Sequence, residues 1–194
     1  MAEEYVGRKF KTQFLDSQKN SVECDESNEM LDFSKKLTQL GFLKGIPGNF
    51  SVRTQRGFII TAGGVDKEKL AREDLVEVLD YSKEKDIVSI SGIKEPSSEA
   101  RMHYMIYRKY SEVNAILHVH DSLVLENEDK AREQGVVFTK KEVPYGTIEL
   151  AEQVIEALKK SRYIVMLNHG SVAVGGSLRE AQDLAVSVHR RLEA

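Results

Sequence analysis

The chain has 194 residues, 41% hydrophobic and 30% charged, which is enough for one domain with one substantial core. Its 28 basic and 31 acidic residues give a net charge of −3, which disfavours nucleic acid or an anionic membrane as partner and favours a small molecule. The single cysteine, Cys24, excludes an internal disulfide. The charged first twenty residues and the lack of a ~20-residue apolar run predict a cytoplasmic protein without signal peptide or membrane span.

The N-terminal part of the chain is polar. Residues 1–27 mix charges of both signs without a clear period, which predicts a loosely attached extension to a single folded domain of residues 28–194. Apolar residues recur at helical spacing from Asn28 to Leu40, and Gly41 follows. This pattern predicts that the first core helix ends at Leu40.

The middle of the chain is rich in short β-prone runs. Four of them are separated by turns and predict antiparallel strands: Asn49–Arg53, Gly57–Thr61, Val76–Leu79 and Ile87–Ile90. Two serines then precede a helical pattern, Glu99–Tyr110, which predicts a serine-capped helix with Glu99 in its first turn. The apolar run Val113–His120 predicts a strand in the centre of the sheet, because neither of its faces is polar.

The C-terminal part alternates between the two patterns. It predicts a helix over Ile148–Leu158, strands over Tyr163–Leu167 and Ser171–Val174, and a last helix capped by Ser177. Turns between strands outnumber β-α-β units along the whole chain. The sequence therefore predicts an α/β or α+β layer domain with a largely antiparallel or mixed sheet and helices packed on it.

Three histidines indicate a metal site. His118 and His120 are two residues apart on a predicted strand, so their side chains point to the same face. Catalytic zinc commonly has three protein ligands and an open position, and His169, directly after an apolar strand, is the third candidate. A lone buried histidine is more often a hydrogen-bonded core residue, so it is the combination that favours a divalent metal, zinc first.

Glu99 is the acid with the most informative position. It follows Ser97 and Ser98 at a predicted helix start, where free N–H groups and the helix dipole favour anions, including a phosphate. Asn49 and the Gly63–Gly64 pair offer backbone N–H groups in the same way.

Two further histidines have simpler interpretations. His103, one turn beyond Glu99, is predicted to pack or to support that acid. His189, in the last helix beside Arg190 and Arg191, is predicted to lie at the surface.

Taken together in chain order, five segments resemble the class II aldolase/adducin head family, from about Asn28 onward. They are Gly48–Arg53, Ile60–Gly64, Pro96–Glu99, His118–His120 and Asn168–Gly170. Within the family, the segment Tyr145–Glu152 and the helix after Ser177 are most similar to the fuculose phosphate aldolases. The combination is specific, although no single segment is.

The resemblance implies a three-layer α/β fold, a mainly antiparallel sheet between helices, in a C4 homotetramer with active sites at subunit boundaries. It implies cleavage of a ketose 1-phosphate, such as L-fuculose 1-phosphate, to dihydroxyacetone phosphate and an aldehyde, with zinc stabilising the enediolate. It assigns the residues as follows: His118, His120 and His169 as zinc ligands, Glu99 as ligand and base, Asn49, Gly64, Ser97 and Ser98 as phosphate-binding residues. Tyr145 is the candidate proton donor to the aldehyde.

Other activities of the same fold remain alternatives. A pentulose-phosphate 4-epimerase carries aspartate at the place of Glu99. A methylthioribulose-phosphate dehydratase has a further acid after the histidine pair. This chain has Glu126, Glu128 and Glu133 in that segment, but their positions do not specifically match that role. A non-catalytic module like the adducin head has no physical need for all four site residues. Gly63 stands where a threonine hydroxyl is common in the family.

Overall fold

A computed structural model gives the structure of residues 8–16 and 24–193. Within these ranges the chain has six α-helices and one nine-stranded sheet. The strands are β1 Lys11–Asp16, β2 Asn49–Arg53, β3 Phe58–Thr61, β4 Leu75–Ser82, β5 Ile87–Ser91, β6 Ala115–Val119, β7 Val137–Phe138, β8 Tyr163–Met166 and β9 Gly170–Gly175. The helices are α1 Asp25–Gln39, α2 Ala100–Lys109, α3 Ser122–Glu126, α4 Glu128–Glu133, α5 Ile148–Leu158 and α6 Leu178–Glu193.

The sheet is mainly antiparallel, as predicted. Its strand order is β1-β5-β4-β3-β2-β6-β9-β8-β7, and only the two outermost described pairs, β1 with β5 and β7 with β8, are parallel. Strand β6 lies between β2 and β9, where Asn49 is opposite His118. The central position predicted for this apolar strand is therefore confirmed.

Helices cover both faces of the sheet. Successive residues of a strand face opposite sides, so β6 directs Leu117 to one side and Ile116 to the other. Leu117 belongs to the core beneath α1 and α6, and Ile116 to the core beneath α2 and α5. The predicted three-layer α/β fold is confirmed, and His118 lies on the α2 side because it has the same parity as Ile116.

The N-terminal segment differs from the expectation of loose attachment. Residues Lys11–Asp16 form β1 and pair with β5, and α1 begins at Asp25 rather than at Asn28. No alternation in the sequence indicates β1, because its apolar residues Phe14 and Leu15 are adjacent, and both are exposed in the structure. The rest of the predicted extension, residues 1–7 and 17–23, lies outside the described residues.

The segment between His120 and Gly146 contains structure that the sequence did not indicate. It forms α3, α4 and the two-residue strand β7, each too short to show a hydrophobic period. Among the described residues, none of the helices combines the length and the apolarity that crossing a lipid bilayer requires.

Candidate metal centre and active site

The predicted metal-site residues lie at one end of the sheet, at the end of β6, in the turn between β8 and β9 and at the start of α2. His118 is the fourth residue of β6, and His120 follows the strand, which ends at Val119 rather than at His120 as predicted. His169 lies in the turn between β8 and β9. Glu99 is the N-cap residue of α2, one position before its first turn, and its N–H group donates to the Ser97 hydroxyl at 3.3 Å.

The turn that holds His169 depends on its two neighbours. Asn168 adopts a left-handed backbone with φ of 56°, and its amide Nδ2 donates to Glu142 Oε2 at 2.6 Å. A Cβ atom at Gly170 would lie 2.7 Å from the Val119 carbonyl oxygen and 2.8 Å from His118 Cε1. Only glycine fits there, because the turn packs directly on the strand end that carries His118.

The four side chains converge on one point. His118 Nε2 lies 3.0 Å from His120 Nε2 and 3.2 Å from His169 Nε2. The Glu99 carboxylate lies 3.1 Å from His118 Nε2 through Oε2 and 3.2 Å from His169 Nε2 through Oε1. His118 and Glu99 are buried whereas His120 is exposed, so the cluster opens to solvent beside His120.

These distances are close to those between neighbouring ligand atoms around one metal ion. Ligand atoms that each lie ~2.0–2.1 Å from one tetrahedral ion are about 3.3 Å from one another, and the four distances above run from 3.0 to 3.2 Å. The ligand nitrogens of the three histidines all lie within 4.8 Å of one another. Three neutral imidazoles and one carboxylate are also a donor set that zinc accepts.

The protonation of His118 suits a ligand. Its Nδ1 lies 2.9 Å from the Ser171 carbonyl oxygen; since a carbonyl can only accept, Nδ1 carries the proton and Nε2 is left with a free lone pair. Burial lowers the pKa of His118 despite the neighbouring Glu99, which keeps the ring neutral. Burial also opposes ionisation of Glu99, but His118, His169 and the Asn49 amide outweigh it and hold the pKa of Glu99 well below its usual value.

Asn49, a predicted phosphate-binding residue, contacts the acid Glu99 directly. Its Nδ2 donates to Glu99 Oε2 at 2.8 Å, while its buried Oδ1 has no hydrogen-bond partner among the described residues. It reaches the site because β2 pairs with β6, where Asn49 is opposite His118.

The predicted phosphate-binding glycine and serines lie on two adjoining loops. Ala62 and Pro96 form a β-bridge, and the Ser97 N–H donates to the Thr61 carbonyl at 3.2 Å. Gly64, with φ of 73°, is exposed on one loop, and Ser97 and Ser98 lie on the other. The two loops therefore form a single surface leading to Glu99.

Tyr145 also lies at the cluster. Its buried ring stacks beside that of His169, with centroids 6.2 Å apart and an angle of 22° between the planes. The structure thus brings the candidate proton donor next to a predicted metal ligand.

The other two histidines differ in part from their predictions. His103 packs in the core, but its Nδ1 lies 2.7 Å from the Ser51 hydroxyl and its side chain makes no hydrogen bond to Glu99 among the described contacts. His189 is half-buried instead of a plain surface residue, and its Nδ1 lies 2.8 Å from Asp121 Oδ2, directly after the predicted ligand His120. The sequence could not show this contact, since it joins residues 68 positions apart.

Comparison with known proteins agrees with the fold. The family described as Class II Aldolase and Adducin N-terminal domain matches residues 28–194. This chain belongs to that family.

Curated relatives extend the match over most of the chain. A 5-deoxy-D-ribulose 1-phosphate aldolase of Bacillus thuringiensis is 30% identical over 176 residues, 84% of this chain and 80% of the relative. An L-fuculose phosphate aldolase of Haemophilus influenzae is 30% identical over 174 residues, 84% of this chain and 78% of the relative. The predicted likeness to fuculose phosphate aldolases is thereby confirmed.

A solved structure agrees as well. The L-fuculose-1-phosphate aldolase of Thermus thermophilus superposes with a TM-score of 0.69 at 27% identity, and the match covers 86% of this chain and 90% of that one.

Proposed function

We propose that this chain is a divalent-metal-dependent aldolase, zinc being the first candidate, that cleaves a ketose 1-phosphate to dihydroxyacetone phosphate and an aldehyde. The observation that carries the proposal is the convergence of three histidine nitrogens and the Glu99 carboxylate at 3.0 to 3.2 Å. The two curated relatives support the substrate class, since both are named as aldolases of a sugar phosphate.

The metal ion would be held by His118, His120 and His169, with Glu99 as a fourth, exchangeable ligand. When bound, such an ion supplies a Lewis acid that stabilises negative charge on the carbonyl and hydroxyl oxygens of the substrate. The Ser171 carbonyl fixes the His118 tautomer in which Nε2 has a free lone pair for the metal ion.

Glu99 would move the substrate proton. In the condensation direction its Oε1 takes the proton from the carbon of dihydroxyacetone phosphate that forms the new bond, while the Asn49 amide holds Oε2. Tyr145 gives a proton to the aldehyde oxygen. In cleavage the same two groups act in reverse, and after each turnover in one direction a proton passes between Glu99 and Tyr145 through solvent, which restores their starting protonation states.

The substrate phosphate would bind on the loops that carry Gly64, Ser97 and Ser98, with Asn49 at the end nearest to Glu99. Serine hydroxyls and backbone N–H groups are ordinary phosphate donors. We also propose a homotetramer with active sites at subunit boundaries, on the strength of the family resemblance; light scattering should give four times the mass of one chain.

The test of the activity is to incubate the zinc-loaded chain with L-fuculose 1-phosphate, 5-deoxy-D-ribulose 1-phosphate and other ketose 1-phosphates, and to measure dihydroxyacetone phosphate with a coupled reductase. We expect release from at least one of them, and no release by a His118→Ala chain prepared in the same way. Release from none would contradict the proposal. Epimerisation of a pentulose 5-phosphate, loss of water from methylthioribulose 1-phosphate, or failure to take up any divalent ion would then identify which alternative holds.

A further inference from the structure

A short N-terminal segment, residues 8–10, runs past the proposed phosphate loops before the chain enters β1. We call it the N-terminal arm. It lies outside residues 28–194, the part of the chain that the family matches.

Arg8 of the arm lies where the two proposed phosphate loops meet. Its guanidinium forms an ion pair with Glu95, and the Glu95 carbonyl accepts from the Gly63 N–H at 3.1 Å. A Cβ atom at Gly63 would lie 3.1 Å from Arg8 Nη1 and 3.2 Å from the Pro96 carbonyl oxygen. The absence of a side chain at position 63 thus makes room for the Arg8 guanidinium at this point of the loop.

Lys9 and Phe10 bring the arm to a third part of the site. Lys9 Nζ donates to the Tyr145 carbonyl at 2.8 Å and lies 4.8 Å from the centre of its ring. The Phe10 ring packs under the Arg101 guanidinium at 5.4 Å, and Arg101 donates to the Gly146 carbonyl. The arm therefore spans from the proposed phosphate loops to the turn that carries Tyr145.

The arm adds positive charge to this side of the site. Arg8 forms an ion pair with Glu95. In the part of the chain that the structure describes, no ion pair joins Lys9 to a carboxylate. The Arg8 and Glu95 side chains are 26% and 39% exposed, so the guanidinium is open to an incoming anion. Arginine suits this role because its five N–H donors can hold one carboxylate and still bind phosphate oxygens.

We propose that the arm is part of the substrate site and that the Arg8 guanidinium binds the phosphate group of the substrate. The inference rests on the proposed function, and it makes Arg8 a binding residue contributed by a segment outside the family domain. Lys9 has a positioning role, because it holds the backbone and ring of Tyr145 rather than the phosphate.

The test is calorimetric titration of the zinc-loaded chain with inorganic phosphate. Arg8→Ala should weaken phosphate binding about ten- to hundredfold, as expected for loss of a charged hydrogen bond, and Arg8→Lys should give an intermediate loss. The matched control is Arg179→Ala, which removes an 89% exposed arginine of α6 and should change nothing. Repeating the titrations in a His118→Ala background removes the metal ion as a competing phosphate ligand.

Glu95→Gln separates a binding role from a structural one. It frees Arg8 from its ion pair, so phosphate should bind roughly two- to fivefold tighter; if Arg8 only braces the loops, binding will weaken or stay the same. Unchanged phosphate affinity in Arg8→Ala, or weaker or unchanged binding in Glu95→Gln, would overturn the proposal. If the Arg8→Ala chain does not fold, the phosphate titration of Glu95→Gln by itself tests the proposed role of Arg8.

Failure of this inference and failure of the proposed function are distinguishable. The heat of phosphate binding does not depend on turnover, so a chain without aldolase activity still answers the question about Arg8. If the chain releases dihydroxyacetone phosphate but binds phosphate independently of Arg8, the proposed role of the N-terminal arm is refuted and the proposed aldolase activity stands.

Discussion

Two buried polar clusters lie side by side between β2, β6 and α2, and only one of them has the form of a metal site. Asn49 and Glu99 belong to the first, and Ser51 and His103 to the second. Asn49 and Ser51 are two residues apart on β2, and Glu99 and His103 are one helical turn apart on α2. The same two elements thus supply both clusters.

The clusters differ in how their polar atoms are arranged. The Ser51 hydroxyl contacts His103 Nδ1 at 2.7 Å and the Tyr107 hydroxyl at 2.9 Å, while the buried His103 Nε2 has no hydrogen-bond partner among the described residues. At the other cluster, several Nε2 atoms and a carboxylate face one another. Burial lowers the pKa of both His103 and His118, so a depressed imidazole pKa does not by itself identify a functional site. Convergence of several ligand atoms does.

The largest expected effect is that of His118→Ala. This change removes the imidazole at the centre of the converging set, so the metal should be lost, and several kcal/mol of transition-state stabilisation with it, which is a loss of about 10³-fold or more in cleavage rate. Metal analysis and dihydroxyacetone phosphate release measure the two effects. Retention of one metal ion per chain in this variant would contradict the distinction between the two clusters, because neither His118 nor His103 would then be required for metal binding.

His103→Ala should have the opposite profile. It leaves a cavity and removes the ring partner of Ser51, which we expect to lower the free energy of unfolding by about 2–3 kcal/mol. Metal stoichiometry should be unchanged. Urea unfolding and metal analysis test both statements, and loss of the metal without loss of stability would assign His103 to the metal centre instead.

The free energy of unfolding should also depend on pH differently in the wild type and in His103→Ala. Burial lowers the pKa of His103 to about 3 from 6.5, so the folded chain keeps this ring neutral while the unfolded chain protonates it below about pH 6.5. The wild type should therefore lose about 1.4 kcal/mol per pH unit through His103 as the pH falls below 6.5.

His103→Ala lacks this penalty, and the other histidines are common to both chains. The stability gap between wild type and variant should consequently narrow by about 2 kcal/mol between pH 7 and pH 5. Urea unfolding of both chains at the two pH values measures it. A gap that stays constant would mean that His103 titrates normally in the folded chain.

The sequence predicted the first cluster but not the second. Paired histidines on an apolar strand, a strand-end histidine and an acid at a helix start have recognisable local signals, and the family resemblance joined them. The contact of Ser51 with His103 and Tyr107 depends on how β2 and α2 pack across the sheet, which no local pattern encodes. The same reason hid the contact of His189 with Asp121.

The fold was predictable to a similar degree. Strands β2 to β6 and helices α2, α5 and α6 have strong periodicity or turn signals, and they were predicted within a few residues. Strand β1 was missed because an edge strand with exposed Phe14 and Leu15 shows no alternation. Helices α3 and α4 were missed because neither exceeds six residues.

Proton exchange on dihydroxyacetone phosphate by a Glu99→Gln variant separates the proposed metal ligands from the proposed base. If the three histidines bind the metal and Glu99 transfers the proton, this variant should retain its zinc and should not exchange the proton of dihydroxyacetone phosphate with deuterated solvent. Exchange at the wild-type rate would contradict the assignment of Glu99 as the base.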